Sequence, residues 1–203
     1  MPTPAETTEL FFSSHKPTTH AKGDQLLRPS ALVPPPITYI VEGSVVEYAI
    51  SAGGVKTIIN TYKAGAFFPA SSALNKTPNK YYFEAGAQTV IRQATPEQVD
   101  KFLLDNPTVA YDLLQRLYRG IDGLTGRLER LLGADAGARL LYELTIQAER
   151  FGVTAPGGTL LTITESELAE HTGLARETVS RELKKLKDAH TLSVSRGKIL
   201  IHS

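Results

Sequence analysis

Leu114, Leu117, Ile121, Leu124, Leu128 and Leu131 follow one another at spacings of 3, 4, 3, 4 and 3 residues. This is an a/d repeat, the pattern that seats one helix against another along a narrow apolar seam. Asn106-Pro107 places a proline at a first helical position, and Gly133 provides a stop. Gly120, Gly123 and Gly126 each cost such a helix about 1 kcal/mol relative to Ala. The helix therefore needs support from outside itself, from its own domain or from a second copy across the seam.

The long helix divides the chain into three expected parts: residues 1–104, the helix at 105–133, and 134–203. Seven of the 12 prolines lie in residues 1–36, so the opening stretch, and 1–20 above all, reads as irregular. From Ile37 the pattern turns β-rich. "ITYIVEGSVVEYAI" and "VKTIINTY" are dense in β-branched and aromatic residues, with "SAGG" between them as a hairpin loop. "FFPASSALNKTPNK" reads as a loop, and "YYFEA" and "TVIRQ" as two further strands. Strands at this spacing point to a small antiparallel sandwich or barrel. "TPEQVDKFLLDNP" then opens a helix, with Thr95 as N-cap and Pro96 at the first helical position.

After Gly133, Asp135 caps a helix running through "ARLLYELTIQAERFG". Thr164 and Glu167 form a capping-box pattern that starts a short helix at Glu165, and Gly173 suits the left-handed residue that ends it. The next helix places Val179, Leu183 and Leu186 on one face and Arg176, Glu177, Ser180, Arg181 and Lys184 on the other. Two helices joined by a short Gly-bearing turn make a helix-turn-helix. "TLSVSRGKILI" follows as a hairpin, a wing with Arg196-Gly197-Lys198 at its tip.

Charge supports a nucleic-acid surface only locally. The chain as a whole carries +1, but residues 176–198 hold seven Lys/Arg against three Asp/Glu. Cations are thus concentrated where a second helix and a wing meet phosphates. Arginine forks suit guanine O6/N7, a carboxylate suits cytosine N4, and hydroxyls reach the backbone. The expected DNA-binding set is Arg176, Glu177, Arg181, Thr178, Ser180, Arg196 and Lys198.

Other functions are excluded or weakened. The absence of cysteine removes disulfides, thiolate metal sites, iron–sulfur clusters and a catalytic thiol. There is no Gly-rich loop followed by Lys-Ser/Thr, no HExxH and no GxSxG, which argues against an enzyme. "MPTPAETTELFF" has neither the basic nor the apolar region of a secretory signal, and no apolar run approaches the ~18 residues of a membrane span. A cytoplasmic protein without a membrane partner is expected. His15, His20, His171, His190 and His202 read as surface histidines rather than haem ligands.

At "RETVSREL" the chain resembles the Crp/Fnr (cyclic-AMP receptor/fumarate-nitrate regulator) superfamily of bacterial transcription factors, in its catabolite-activator branch. The likeness is strong over 164–203, moderate over the long helix and "DAGAR", and weaker over 22–103, where "KGDQLL", "YIVEGSV" and "YKAGAFF" stand at turns of the family's β-roll. It implies an α+β protein: an N-terminal cyclic-nucleotide-binding-like β-roll (jelly-roll), a long dimerisation helix and a C-terminal winged helix-turn-helix. It also implies a homodimer on a pseudo-palindrome with TGTGA-like half-sites, and RNA polymerase as a further partner.

The departures bear on regulation. Ala175 stands where the family caps its recognition helix with serine, and Glu165 where the activator branch has arginine. Pro69-Ala70 replace the family's Gly-Glu pair, and Lys80-Tyr81 its Arg-Ser pair for a cyclic phosphate. Leu124-Thr125 stand at its Thr-Ser effector contacts. Cyclic AMP is thereby disfavoured. The expected effector is another small molecule near Lys80, Tyr81, Tyr82 and Thr125, or none; packing in the core is the competing reading of Tyr81, Tyr82 and Phe83. The competing function is a dimer that binds a small molecule or protein and keeps a vestigial wing.

Overall fold

A computed structural model describes residues 2–30, 34–195 and 197–202, in two compact units, Met1–Leu117 and Tyr118–Ser203. The first unit opens with helix α1 (Pro4–Ser13), followed by β1 (Thr18–His20), β2 (Gln25–Leu27), β3 (Ile37–Glu42), β4 (Ser44–Ile50), β5 (Lys56–Lys63) and β6 (Phe67–Phe68). Short helix α2 (Ala70–Leu74) leads to β7 (Tyr82–Ala85), β8 (Thr89–Ala94) and helix α3 (Pro96–Asp105). The strands form two four-stranded antiparallel sheets, β1-β8-β3-β6 and β2-β7-β4-β5.

Alternation along the strands fills the space between the sheets. Ile40, Val45, Phe68 and Phe83 are buried together, with Leu26, Leu27 and Tyr62 packed against them. Phe68, on one sheet, stacks on Phe83 of the other at 4.8 Å between ring centroids. Offset stacking of this kind adds to the stability from area burial alone. Glu47 is also buried and accepts a 2.8 Å hydrogen bond from the Tyr62 hydroxyl; burial pushes its carboxyl above the ordinary range.

The opening residues are not irregular. Thr3 and Glu6 form a full capping box, Pro4 takes the first helical position, and α1 follows. The same proline that suggested irregularity is well placed where a helix has no N–H to satisfy. Phe12 is 0% exposed and stacks on Tyr39 at 4.8 Å, while Phe11 stacks on Phe102 at 4.2 Å. Arg92 ties down the end of α1 by donating to the Ser13 and His15 carbonyls. The segment read as a loop after Gly65 likewise contains structure: Phe67 and Phe68 pair with Tyr39 and Thr38, and α2 follows at once.

Helix α4 (Pro107–Gly133) is the long helix, with the boundaries its sequence signals indicate. The second unit continues with α5 (Ala136–Phe151), β9 (Val153–Ala155), β10 (Gly158–Thr162), α6 (Glu165–Thr172), α7 (Arg176–Asp188), β11 (Leu192–Ser195) and β12 (Lys198–His202). Its sheet runs β11-β12-β10-β9, antiparallel throughout. The first hairpin, β9–β10, was not foreseen; its turn is the "PGG" segment. The core is one apolar cluster of Leu140, Leu144, Leu161, Ile163, Leu168, Val179, Leu183, Leu192 and Ile199. No helix among the described residues is long and apolar enough to cross a membrane.

The packing of α1 is testable by truncating its buried ring. Phe12→Ala should cost about 3–5 kcal/mol, the range for deleting a buried aromatic side chain. Leu10, 73% exposed on the same helix, should tolerate alanine with little change. Urea denaturation of the two variants checks the contrast.

Candidate nucleic-acid interface

Local signals build the helix-turn-helix almost unaided. Thr164 accepts from the Glu167 N–H at 3.2 Å, and the Glu167 carboxylate accepts from the Thr164 N–H at 2.8 Å. Gly173 ends α6 at φ 67°, a conformation that carries no Cβ penalty for glycine. Arg139 of α5 donates to the Thr172 carbonyl, anchoring the turn before α7 begins.

Helix α7 turns Val179 and Leu183 inward and leaves Arg176, Glu177, Ser180, Arg181, Lys184, Lys185 and Lys187 exposed; Thr178 is half-buried. The two arginine side chains are 68% and 64% exposed, so their guanidinium groups face solvent rather than the core. Lys198 is exposed at the start of β12. Arg196 lies outside the described residues.

Two carboxylates that sequence reasoning did not connect to the arginines lie beside them. Glu165 lies 3.8 Å from the Arg176 Nε. Glu182 accepts from Arg181 Nε at 3.4 Å and from Lys185 Nζ at 2.9 Å. The Lys185 hydrogen bond is the main reason that the Glu182 carboxyl sits below its ordinary value. Glu182–Lys185 is a helical i,i+3 pair, whereas Glu165–Arg176 spans the turn and has no sequence signature. As the sequence indicates, Ala175 provides no side-chain cap for α7.

The other candidates fall elsewhere. Lys80 and Tyr81 are exposed, and Tyr82 stacks on Tyr48 at 5.2 Å in the first unit, while Phe83 belongs to its core. Thr125 is exposed on the part of α4 that belongs to the second unit. The seam residues Leu114, Leu117, Ile121, Leu124, Leu128 and Leu131 remain between 44 and 57% exposed. His171 departs from expectation: it is buried, against the Glu143 carboxylate. Among the described residues no group of three or more His, Cys, Asp or Glu side chains is placed to hold a metal.

Residues 138–203 match the family model for the Crp-like helix-turn-helix domain. The chain is 27% identical over 171 residues to the global nitrogen regulator of Synechocystis sp., covering 82% of this chain and 76% of that one. It is 25% identical over 165 residues to the cAMP-activated global transcriptional regulator CRP of Pasteurella multocida, covering 80% and 78%. Its fold is similar to that of the c-di-GMP-responsive global regulator CLP of Xanthomonas campestris, with a TM-score of 0.81 at 20% identity over 98% of this chain and 99% of the other. The chain thus has the α+β fold of Crp-type regulators. Residues 138–203 carry a Crp-like helix-turn-helix domain, and the relatives that the chain resembles are named as transcription regulators.

The bare N-cap of α7 gives a direct check on this local geometry. Ala175→Ser should stabilise the protein by about 0.5–2 kcal/mol, the usual worth of a hydroxyl cap over alanine. Thr164→Ala should lose a similar amount by breaking the α6 box. Thermal melts of both variants should shift in opposite directions.

Proposed function

We propose that the chain is a homodimeric, sequence-specific regulator that binds a pseudo-palindrome of TGTGA-like half-sites in double-stranded DNA. The observation that carries this reading is the exposed trio Arg176, Glu177 and Arg181 on the first turns of α7, a helix whose opposite face is buried. Arg176 and Arg181 take guanine edges and Glu177 a cytosine amine, while Thr178, Ser180, Arg196 and Lys198 contact the backbone. Glu165 and Glu182 leave the arginine Nη atoms to make the forks.

The half-exposed seam of α4 supports pairing with a second copy. A two-fold axis there sets the two recognition helices about one helical turn apart, roughly 34–36 Å. In this reading residues 1–104 form the sensor, 105–133 the dimerisation helix and 134–203 the reader. The DNA-bound dimer meets RNA polymerase in the cytoplasm. Of the relatives, one is named for cyclic AMP and one for c-di-GMP. Here Pro69-Ala70 and Lys80-Tyr81 occupy the cassette positions, and Phe68 and Phe83 close the space between the sheets. The effector is therefore one other than cyclic AMP, with Lys80, Tyr81 and Tyr82 of the first unit and Thr125 of the second as separate candidate contacts, or the protein acts without one.

Fluorescence anisotropy on a TGTGA palindrome, at two salt concentrations and with or without cyclic AMP, tests the assignment. Tight binding that weakens with salt and ignores cyclic AMP is expected; no preference for the palindrome over a scrambled duplex refutes it. Arg181→Ala should lose about 1–3 kcal/mol at its matched guanine and relax the preference at that base pair. Equal loss on every sequence would make Arg181 a phosphate contact. Leu117→Glu with Leu124→Glu should give a monomer by sedimentation, with greatly reduced operator affinity; a persistent dimer refutes the seam.

A further inference from the structure

The second unit contains a buried polar cluster that the DNA-reading surface does not use. Arg127 of α4 forks onto Glu143 of α5, Nε to Oε2 at 2.9 Å and Nη2 to Oε1 at 3.0 Å. The Glu143 side chain is 3% exposed. Gln147, one turn along α5, donates to the same Oε1 at 2.7 Å. His171 on the last turn of α6 brings its Nδ1 to 3.3 Å from that oxygen, its side chain 7% exposed. Beside this cluster Tyr142 lies across Gly126, where a Cβ would stand 1.8 Å from the phenol oxygen. The Arg130 guanidinium covers the Tyr142 ring at 3.7 Å. One carboxylate thus joins three helices: the long helix, the helix after the hinge, and the first helix of the helix-turn-helix.

We propose that Arg127, Glu143 and His171 form a latch that fixes the helix-turn-helix to the long helix, and that proton uptake by the His171 ring opens it and lowers operator affinity. The three act as positioning residues, and the proposal rests on the DNA-binding reading above. In the closed latch the guanidinium and the carboxylate cancel, and Glu143 accepts hydrogen bonds at both oxygens, the condition under which a buried ion pair is tolerated. An imidazolium adds a third charge to a site that is already neutral.

The surroundings set the sign. Burial, the largest influence, pushes His171 below its ordinary value. Glu143 from α5 opposes this, Arg127 from α4 reinforces it, Glu167 on α6 itself opposes it, and Arg150 from α5 reinforces it. A ring released to water titrates near ~6.5. The open form therefore takes up protons first, and the closed latch is fully favoured above that pH and lost as the pH falls below it. Two recognition helices read a palindrome only at a fixed separation, and opening the latch gives up that preorganisation.

The test uses the full chain, with a TGTGA palindrome and a scrambled duplex at constant ionic strength from pH 5.5 to 8. Relative to His171→Gln, which cannot protonate, the unsubstituted protein should lose operator affinity severalfold toward the acid end. Any other group that titrates in this range affects both proteins alike and cancels in the ratio. An NMR titration should place the His171 pKa below ~6.5 and move it upward in Arg127→Gln. Thermal melts confirm that both variants fold. Operator binding with superimposable pH profiles overturns the latch and leaves the DNA reading intact, as does a His171 titration that Arg127→Gln leaves unmoved. Failure to bind either duplex at any pH overturns both.

Discussion

The packing of α7 against the C-terminal core decides which of its atoms are left for other molecules. Val179 and Leu183 join Leu140, Leu144 and Leu168 in one apolar cluster, and this fixes the rotation of the helix about its own axis. With 3.6 residues per turn, burying positions 179 and 183 sends 176, 177, 180, 181 and 184 outward. The polar face is a geometric consequence of the apolar one. A helix rotated by one residue would bury a charge, at a cost far above that of any surface rearrangement.

Within that frame the charged side chains are restrained rather than loose. Glu165 faces Arg176 across the turn, and Glu182 holds Arg181 and Lys185 together. Exposed pairs of this kind add little to stability. Their effect is on orientation: an arginine with a carboxylate beside its Nε has less conformational freedom left to lose on binding. Glu165, where the branch resembled here has arginine, lies beside the Arg176 guanidinium instead.

Much of this was legible in the chain alone wherever the signal is local. Thr95, Thr164, Gly173 and Gly133 mark helix ends through hydrogen bonds and backbone conformations spanning three or four residues, and those ends stand as read. The a/d spacing of α4 is equally local. What escaped depends on partners distant in sequence. Phe12 is core only because Tyr39 and Val99 meet it, and β9–β10 is a hairpin only because β12 supplies an edge. The Thr3–Glu6 box was visible in principle, being the same motif as Thr164–Glu167, but the surrounding prolines masked it. His171 could not be told from the other histidines, because its burial is set by Glu143 and Arg127, 28 and 44 residues away.

The ring pair between the two sheets has a consequence for any small molecule that would enter between them. Phe68 and Phe83 each belong to a different sheet, so their stack bridges the layers that a guest would have to part. Entry there begins with eviction of an aromatic side chain from a filled space, and the guest must compensate for the contacts it removes. A molecule small and apolar enough to do so would resemble a phenyl ring more than a nucleotide.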